Sequence, residues 1–290
     1  MNSHRPFDEW IGRNRIDQDV IEGDDVERLA ATLDWPLLRP AAGGPLPLPW
    51  HWIFFRPKAD TAVLSVDGHE PRGDFIPPFP HARRMWAGSR VEVHADGLRV
   101  GDEVERKTTI TRIETKQGRS GELVFLTLQH AYYAGGKYRL LDTQEIVYRH
   151  GDTAVSATPV RPMQSAEPLD LHNADAVETV RFDNTLLFRY SALSFNSHRI
   201  HYDLDYARVT ENYAGIVVHG PLIVTRLLMF FYQQYPQQPV VSFTHRSMKP
   251  LIANEPCRLV SVLHGPEYRL FAINESDVVL TEVQLKIQAK

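Results

Sequence analysis

The chain has 290 residues, 43% hydrophobic and 23% charged, enough to bury one large core or two of roughly 100–150 residues each. With 32 Lys and Arg against 36 Asp and Glu its formal charge is −4, so it lacks the basic excess that holds nucleic-acid phosphates, and no nucleic-acid partner is expected. One cysteine, Cys257, excludes an internal disulfide and a cysteine-built structural zinc site. A reducing cytoplasm suits it, as does an N-terminal segment, Met1 to Val20, studded with Arg, Asp and Glu where a signal peptide would be apolar.

Asp24 and Asp25 precede Val26, Leu29, Ala30 and Leu33, which predicts a short amphipathic helix ended by Pro36. The text from Leu37 to Pro57 is rich in proline and aromatics, with room for about two helical turns after Pro49. Trp50, Trp52, Phe54 and Phe55 read there first as core and second as pocket lining. Pro71 to Pro80 is a loop. From Arg84 to His150, Val- and Thr-rich stretches punctuated by glycines predict four successive antiparallel strands. Asp152 to Ala176 is polar, proline-bearing and without periodicity. The chain therefore divides into a first half, 1–155, a linker, 156–176, and a second half, 177–290.

The second half repeats the plan: an apolar entry (Leu186 to Phe195), a polar segment, a helix, then strands at Val240 to His245, Arg258 to Leu263, Tyr268 to Ile273 and Val278 to Ile287. Gly220 and Pro221 open the helix and Pro236 stops it. Within it, only Thr225 and Arg226 are polar before Gln233. A helix apolar on every face is enclosed. The window Gly215 to Tyr232 is interrupted by His219, Pro221 and Arg226, so it does not span a membrane. An enclosed helix followed by antiparallel strands points to an α+β fold, a sheet curled around a helix: the hotdog arrangement. Two echoes suggest that both halves share it. Gly97 to Asp102 matches Pro250 to Glu255 in place, with Leu98 and Leu251 153 residues apart, and Arg28 to Leu33 (RLAATL) echoes Arg189 to Ser194 (RYSALS).

The densest polar text is Phe188 to Ala207, FRYSALSFNSHRIHYDLDYA, where Asn196, Arg199, Tyr202, Asp203 and Asp205 surround His198 and His201. His-x-x-His beside Asp is a weak zinc signal without a third ligand at a known spacing, and no metal is expected. The plain alternative is a polar loop with hydrogen-bonded histidines.

This segment resembles the hydratase 2 motif of the MaoC-like hotdog enzymes. Tyr190, Leu193, Ser194, Ile200, His201 and Ala207 match it, while Phe195, Asn196, His198 and Arg199 depart from it. Asn196 stands where the family has its catalytic Asp. Gly215 to Leu222 is similar to the family's aliphatic-x-His-Gly signature at the start of the central helix. The variant pattern resembles the long, two-hotdog subgroup that includes mesaconyl-C4-CoA and itaconyl-CoA hydratases, and PLPLPWHWIFF and PPFPHARRMWAGSRVEVH carry the likeness through the first half, over about Asp24 to Gln288.

The resemblance implies a double hotdog and a hydro-lyase that adds water to a C5 dicarboxylic enoyl-CoA to give citramalyl-CoA. His201 is then the general base and acid, Asn196 orients water or imidazole, and the Gly220 N–H receives the thioester oxygen as it becomes enolate-like. Arg199, Arg83 and Arg84, the last two beside Trp86, are candidates to clamp the distal carboxylate. His198 and Tyr202 complete the substrate-binding set, and His219 packs against the loop. The first half, with Asp34 in its echo but Arg39 five residues on, reads as catalytically silent and as shaping the pocket. No cofactor is expected beyond the CoA of the substrate, and the two halves can pair sheet edge to sheet edge within one chain, with a homodimer of such chains left open. A fatty-acid-type 3-hydroxyacyl-thioester dehydratase and a non-catalytic acyl-CoA-binding hotdog protein are the alternatives.

Overall fold

Strand-forming, alternating text dominates the chain, and the computed structural model, which describes residues 7–35, 37, 39–80, 83–118, 121–149, 169–264 and 267–288, gathers it into one antiparallel sheet. The first half supplies β1 (Asn14–Val20), β2 (Arg83–Val93), β3 (Glu103–Gly118), β4 (Gly121–Ala134) and β5 (Lys137–Arg149). The second supplies β6 (Ala176–Arg181), β7 (Val240–Ser247), β8 (Pro256–His264), β9 (Glu267–Ile273) and β10 (Val279–Ile287). The order β1-β3-β4-β5-β2-β7-β10-β9-β8-β6 is a mirror about the β2–β7 seam, where Gly88 to Glu92 pair with Arg246 to Ser242. Joining the two halves there leaves each without an open inner edge.

Among the described residues three α-helices accompany the sheet: α1 (Gly23–Thr32), α2 (Asn184–Ser194) and α3 (Gly220–Gln234). α3 is the enclosed helix that its composition demands. Leu222, Val224, Leu227, Leu228 and Phe231 are fully buried in one cluster with Phe243, Leu259, Leu270 and Val283 of the strands. Each such side chain contributes about 1.5–3 kcal/mol through burial. Its one charged residue, Arg226, is satisfied by donating to the Leu33 carbonyl at 3.0 Å and lying 3.7 Å from Glu178. At the corresponding place in the first half the two helical turns expected after Pro49 are a single 3-10 turn, Trp50–Ile53, closed off by Phe55 at φ 55°. Trp50 and Phe54 are core there, and Trp52 packs against the same cluster while donating to Asp142 at 2.8 Å.

The internal echo is structural. Leu46 N–H donates to Leu98 O and Val218 N–H to Leu251 O, both at 2.8 Å. Gly101 and Asn254, both at positive φ, donate in the same way to Ile21 and Phe182. α1 and α2 each end in a left-handed residue, Asp34 and Phe195, both at φ 51°. Trp35, rather than Asp34, therefore holds the place of Asn196: Trp35 N–H returns to Ala30 O as Asn196 N–H returns to Ser191 O. The first half then runs from Trp35 to Leu46 where the second runs from Asn196 to Val218, and the stretch carrying His198 and His201 has no counterpart.

β1 is not legible in the sequence: NRIDQDV is an edge strand with its first three residues exposed, so no apolar alternation marks it. Of the predicted linker, 156–168 lies outside the described residues, while 169–176 holds a 3-10 turn, Leu171–Asn173, and the first residue of β6. Cys257 is free and buried, and burial pushes its thiol up to about 12. Among the described residues, no helix is long and apolar enough to cross a membrane.

Candidate active site

α2 delivers the polar segment to the mouth of α3. Asp183 caps α2 by accepting the Leu186 N–H at 2.8 Å. Beyond the left-handed Phe195, the Asn196 side-chain oxygen accepts the His198 N–H at 3.0 Å, an Asx turn, and the chain enters one 3-10 turn, Arg199–His201. Asn196 is thereby a turn-former as well as a candidate for orienting water.

His201 Nδ1 lies 2.7 Å from the Val217 carbonyl oxygen. A carbonyl only accepts, so Nδ1 carries the proton and Nε2 the lone pair. The ring stacks on His219, centroids 3.7 Å apart and planes 22° apart, and His219 Nε2 is 2.8 Å from Ser191 Oγ. Burial pushes His201 down to about 4, with the Val217 carbonyl opposing, and holds His219 well below its ordinary value. His201 is thus a neutral, oriented base near pH 7.

Gly220 opens α3, where the first amides have no carbonyl of their own helix to meet and the helix dipole is positive. The strand β2 passes close by: a Cβ on Gly220 would lie 2.9 Å from Trp86 Cε3. Trp86 in turn packs on Trp52 and on His245, centroids 5.0 and 4.0 Å away. The structure therefore brings His201, His219, Gly220 and Trp86 together.

The three candidate arginines part company. Arg83 is buried, donating to the Thr210 carbonyl at 3.1 Å and pairing with Glu211 at 3.2 Å. Arg199 donates Nε and Nη2 to Asp203 at 3.0 and 2.7 Å and Nη1 to Val66 O at 3.2 Å, and stacks over Tyr206. Both are committed to holding the fold. Arg84 is exposed and makes no hydrogen bond or ion pair among the described residues, yet its charge acts on His69 and His198. Tyr202 is 55% exposed and Asp203 serves Arg199.

Sequence reasoning missed the turn Ser65 to His69 of the first half. Gly68 (φ +90°) lies so close to the His201 segment that a Cβ would sit 2.0 Å from the Ser197 carbonyl oxygen. Ser197 Oγ donates to Gly68 O at 2.5 Å and Arg199 N–H to Asp67 O at 2.9 Å. This docking sets the His69 ring 4.3 Å from His198, which is 5.4 Å from His201. His69 Nδ1 is 3.0 Å from Asp67 Oδ2. Burial opposes ionisation of Asp67, but the hydrogen bond and charge of His69 outweigh it and hold the carboxyl well below its usual range. Burial and then Arg84 push His69 down, against Asp67. Asp67, His69 and His198 also offer ligand atoms within 4.8 Å of one another, a donor set that a divalent ion could bridge. The Asp-Gly dipeptide announces a turn, but nothing in its spacing connects it to a segment some 130 residues away.

Compared with known proteins, the sequence matches the family described as hydroxyacyl-thioester dehydratase type 2 over residues 49–253. It is 42% identical over 266 residues, 91% of each chain, to a protein named mesaconyl-C(4)-CoA hydratase from Chloroflexus aurantiacus. The chain belongs to the hydroxyacyl-thioester dehydratase type 2 family. Its fold is also that of a MaoC-like dehydratase from Phytophthora capsici (TM-score 0.66, 13% identity, 96% of both chains) and of a Mycobacterium tuberculosis protein described as a double hotdog (TM-score 0.60, 10% identity, 96% of both). The double hotdog inferred from the enclosed helix and the strands is the fold of this dehydratase-family chain. The stretch matched to the dehydratase family takes in the Asp67 turn, β2 and the segment from Asn196 to α3.

Proposed function

We propose that the chain is an acyl-CoA hydratase that adds water to a C5 dicarboxylic enoyl-CoA, mesaconyl-C4-CoA or itaconyl-CoA, to give citramalyl-CoA. The observation that carries this reading is the pairing of a tautomer-fixed base with an amide at a helix start: Nε2 of His201 free to take a proton, and the Gly220 N–H at the head of α3. The base takes a proton from water as its oxygen bonds to the β carbon, and the thioester oxygen gathers charge at the Gly220 N–H. A preorganised donor of this kind is worth about 3 kcal/mol of transition-state stabilisation. Arg84, which has no ion pair among the described residues and whose charge acts on His69 and His198, would take the second carboxylate. The likeness to the Chloroflexus protein supports the dicarboxylic substrate over an aliphatic one. Acid–base addition of water changes no oxidation state overall, so the reaction itself asks for no redox cofactor. The reduced Cys257 suits work in the cytoplasm.

The test is a panel of enoyl-CoAs followed by loss of enoyl absorbance. Turnover with mesaconyl-C4-CoA well above crotonyl- and octenoyl-CoA is expected, with His201→Ala reduced at least about 100-fold in kcat and its thermal unfolding unchanged within a few degrees. Preference for octenoyl-CoA would select the fatty-acid dehydratase instead, no turnover at all the binding protein, and near-normal turnover by His201→Ala would remove the histidine from the mechanism.

A further inference from the structure

Hydration needs two proton transfers, one from water and one to the α carbon, and a carboxylate at position 196 would ordinarily share them with the histidine. Here that position is an amide whose oxygen is spent on a turn. A carboxylate from the other half of the molecule, Asp67, lies within 4.8 Å of His198 and acts on it. Asp67 accepts from His69 Nδ1–H, which leaves His69 Nε2 as the working nitrogen, and also accepts the His69 backbone N–H at 3.0 Å. This is the geometry by which a carboxylate fixes an imidazole's tautomer and stabilises its protonated form.

The pair is neither buried scaffold nor loose surface. Its side chains are 23% and 18% exposed, and the turn that carries them is pinned backbone to backbone on the His201 segment through Gly68, Ser197 and Arg199. His198, buried, stands between the two outer rings.

We propose that His69, held by Asp67, is the second proton-transfer group of the active site and takes the part that Asn196 cannot play. This rests on the hydratase reading above. In the hydration direction His201 Nε2 accepts a proton from water while the oxygen bonds to the β carbon. The π pair moves to the α carbon and thioester oxygen, and the enolate then takes its α proton from Nε2 of the His69 imidazolium. Water has been added, His201 is left protonated and His69 neutral, and transfer of that proton back by way of His198 or solvent resets the site. His69 is a catalytic residue in this scheme and Asp67 a positioning residue.

Burial, the largest influence on His69, favours its neutral form, and the charges around it act on top of that. Asp67 on its own turn favours the cation; Arg84 on β2 and Arg72 beyond the turn oppose it, and His198 faces it from the His201 segment. A substrate carboxylate paired with Arg84 removes the larger of the two cationic repulsions. A dicarboxylic substrate thus helps to arm its own acid.

The experiment measures kcat and KM against pH for the full-length chain and its Asp67→Asn and His69→Gln variants with mesaconyl-C4-CoA. His69→Gln is expected to lose at least about 100-fold in kcat with KM within about threefold and thermal unfolding little changed. Asp67→Asn keeps the imidazole but lowers its proton affinity, so the alkaline limb of kcat moves to lower pH by about one unit; a merely structural Asp67 would lower activity without moving that limb. A His69→Gln enzyme within about threefold of wild-type kcat overturns the proposal while leaving the hydratase reading intact. So does a purified, active wild type that holds stoichiometric metal and loses turnover on chelation, because the cluster would then be a metal site. Wild type inactive on every enoyl-CoA overturns both readings together.

Discussion

At Gly220 and Trp86 the absence of one atom decides the geometry. A glycine opens α3 because the indole of Trp86 occupies the space a Cβ would need, and the same contact puts β2, and with it Arg84, at the edge of the site. Arg84 is distinguished from Arg83 and Arg199 by what it does not touch. A charge-assisted pair with a substrate carboxylate is worth about 1.5–3 kcal/mol, or about 10- to 100-fold in affinity. Arg84→Met is therefore expected to raise KM for mesaconyl-C4-CoA by that factor and to leave crotonyl-CoA, which has no second carboxylate, unaffected. Steady-state kinetics with both thioesters checks it, and equal effects on the two would remove Arg84 from substrate recognition. The motif residues around it were legible in the sequence: His201 by its place in a known pattern, Gly220 by its place before a proline at a helix start. Asp67 and His69 were not, since a histidine in a turn carries no mark of what will be folded against it.

Between elements, the link worth testing is the one joining β2 to the π-helical turn Tyr206–Thr210 that follows His201. Arg83 and Glu211 are 7% and 8% exposed and 3.2 Å apart, and Tyr206 OH donates to the other Glu211 oxygen at 3.2 Å. Burial raises the Glu211 carboxyl and Arg83 opposes it. Taking away the guanidinium strands a buried carboxylate, which costs about 3–5 kcal/mol, whereas replacing both partners by apolar groups costs far less. Arg83→Met should show that loss in urea unfolding, and Arg83→Met with Glu211→Leu should recover most of it. A single variant within about 1 kcal/mol of wild type would show that the pair is not what ties the two segments. Helices α1 and α3 and eight of the ten described strands were readable as elements, α3 from its unbroken apolar surface and β4 from its run LVFLTLQHAYY, while α2 read only as an apolar entry to the polar segment. β1, β6 and the shortened Trp50–Ile53 turn were not, because exposed edge strands and a truncated helix are each fixed by neighbours rather than by their own periodicity.

For the molecule as a whole, the number of buried neutral imidazoles sets its response to acid. Burial pushes His130 and His201 down to about 4 and His245 to about 3, from an ordinary 6.5. In each case the unfolded chain binds the proton more readily than the folded one. The stabilisation is therefore complete above 6.5 and is lost as pH falls from there toward the folded values, at about 1.4 kcal/mol per pH unit per histidine. The midpoint of thermal unfolding should be flat between pH 7 and 8 and fall steeply between 6.5 and 4.5. A midpoint that holds steady to pH 4.5 would mean that these rings are protonated, or solvated, in the folded protein.

Periodicity, a local property of the chain, was enough to mark two strand-rich halves and an enclosed helix at Gly220, and the family resemblance of the motif singled out His201 and the double-hotdog fold. What they could not reach is anything that depends on which surfaces meet. The β2–β7 seam joins two edges from opposite halves, and once it forms it carries β2 past the head of α3. Docking of the Gly68 turn on Ser197 then sets a carboxylate-held histidine from the first half beside the two histidines of the second. The first half, read alone, looks silent because its own copy of the motif loop is absent. Backbone contacts formed only at the interface of the halves leave Arg84 without an ion pair among the described residues and set the His69 ring against His198, the arrangement on which the proposed role of the first half rests.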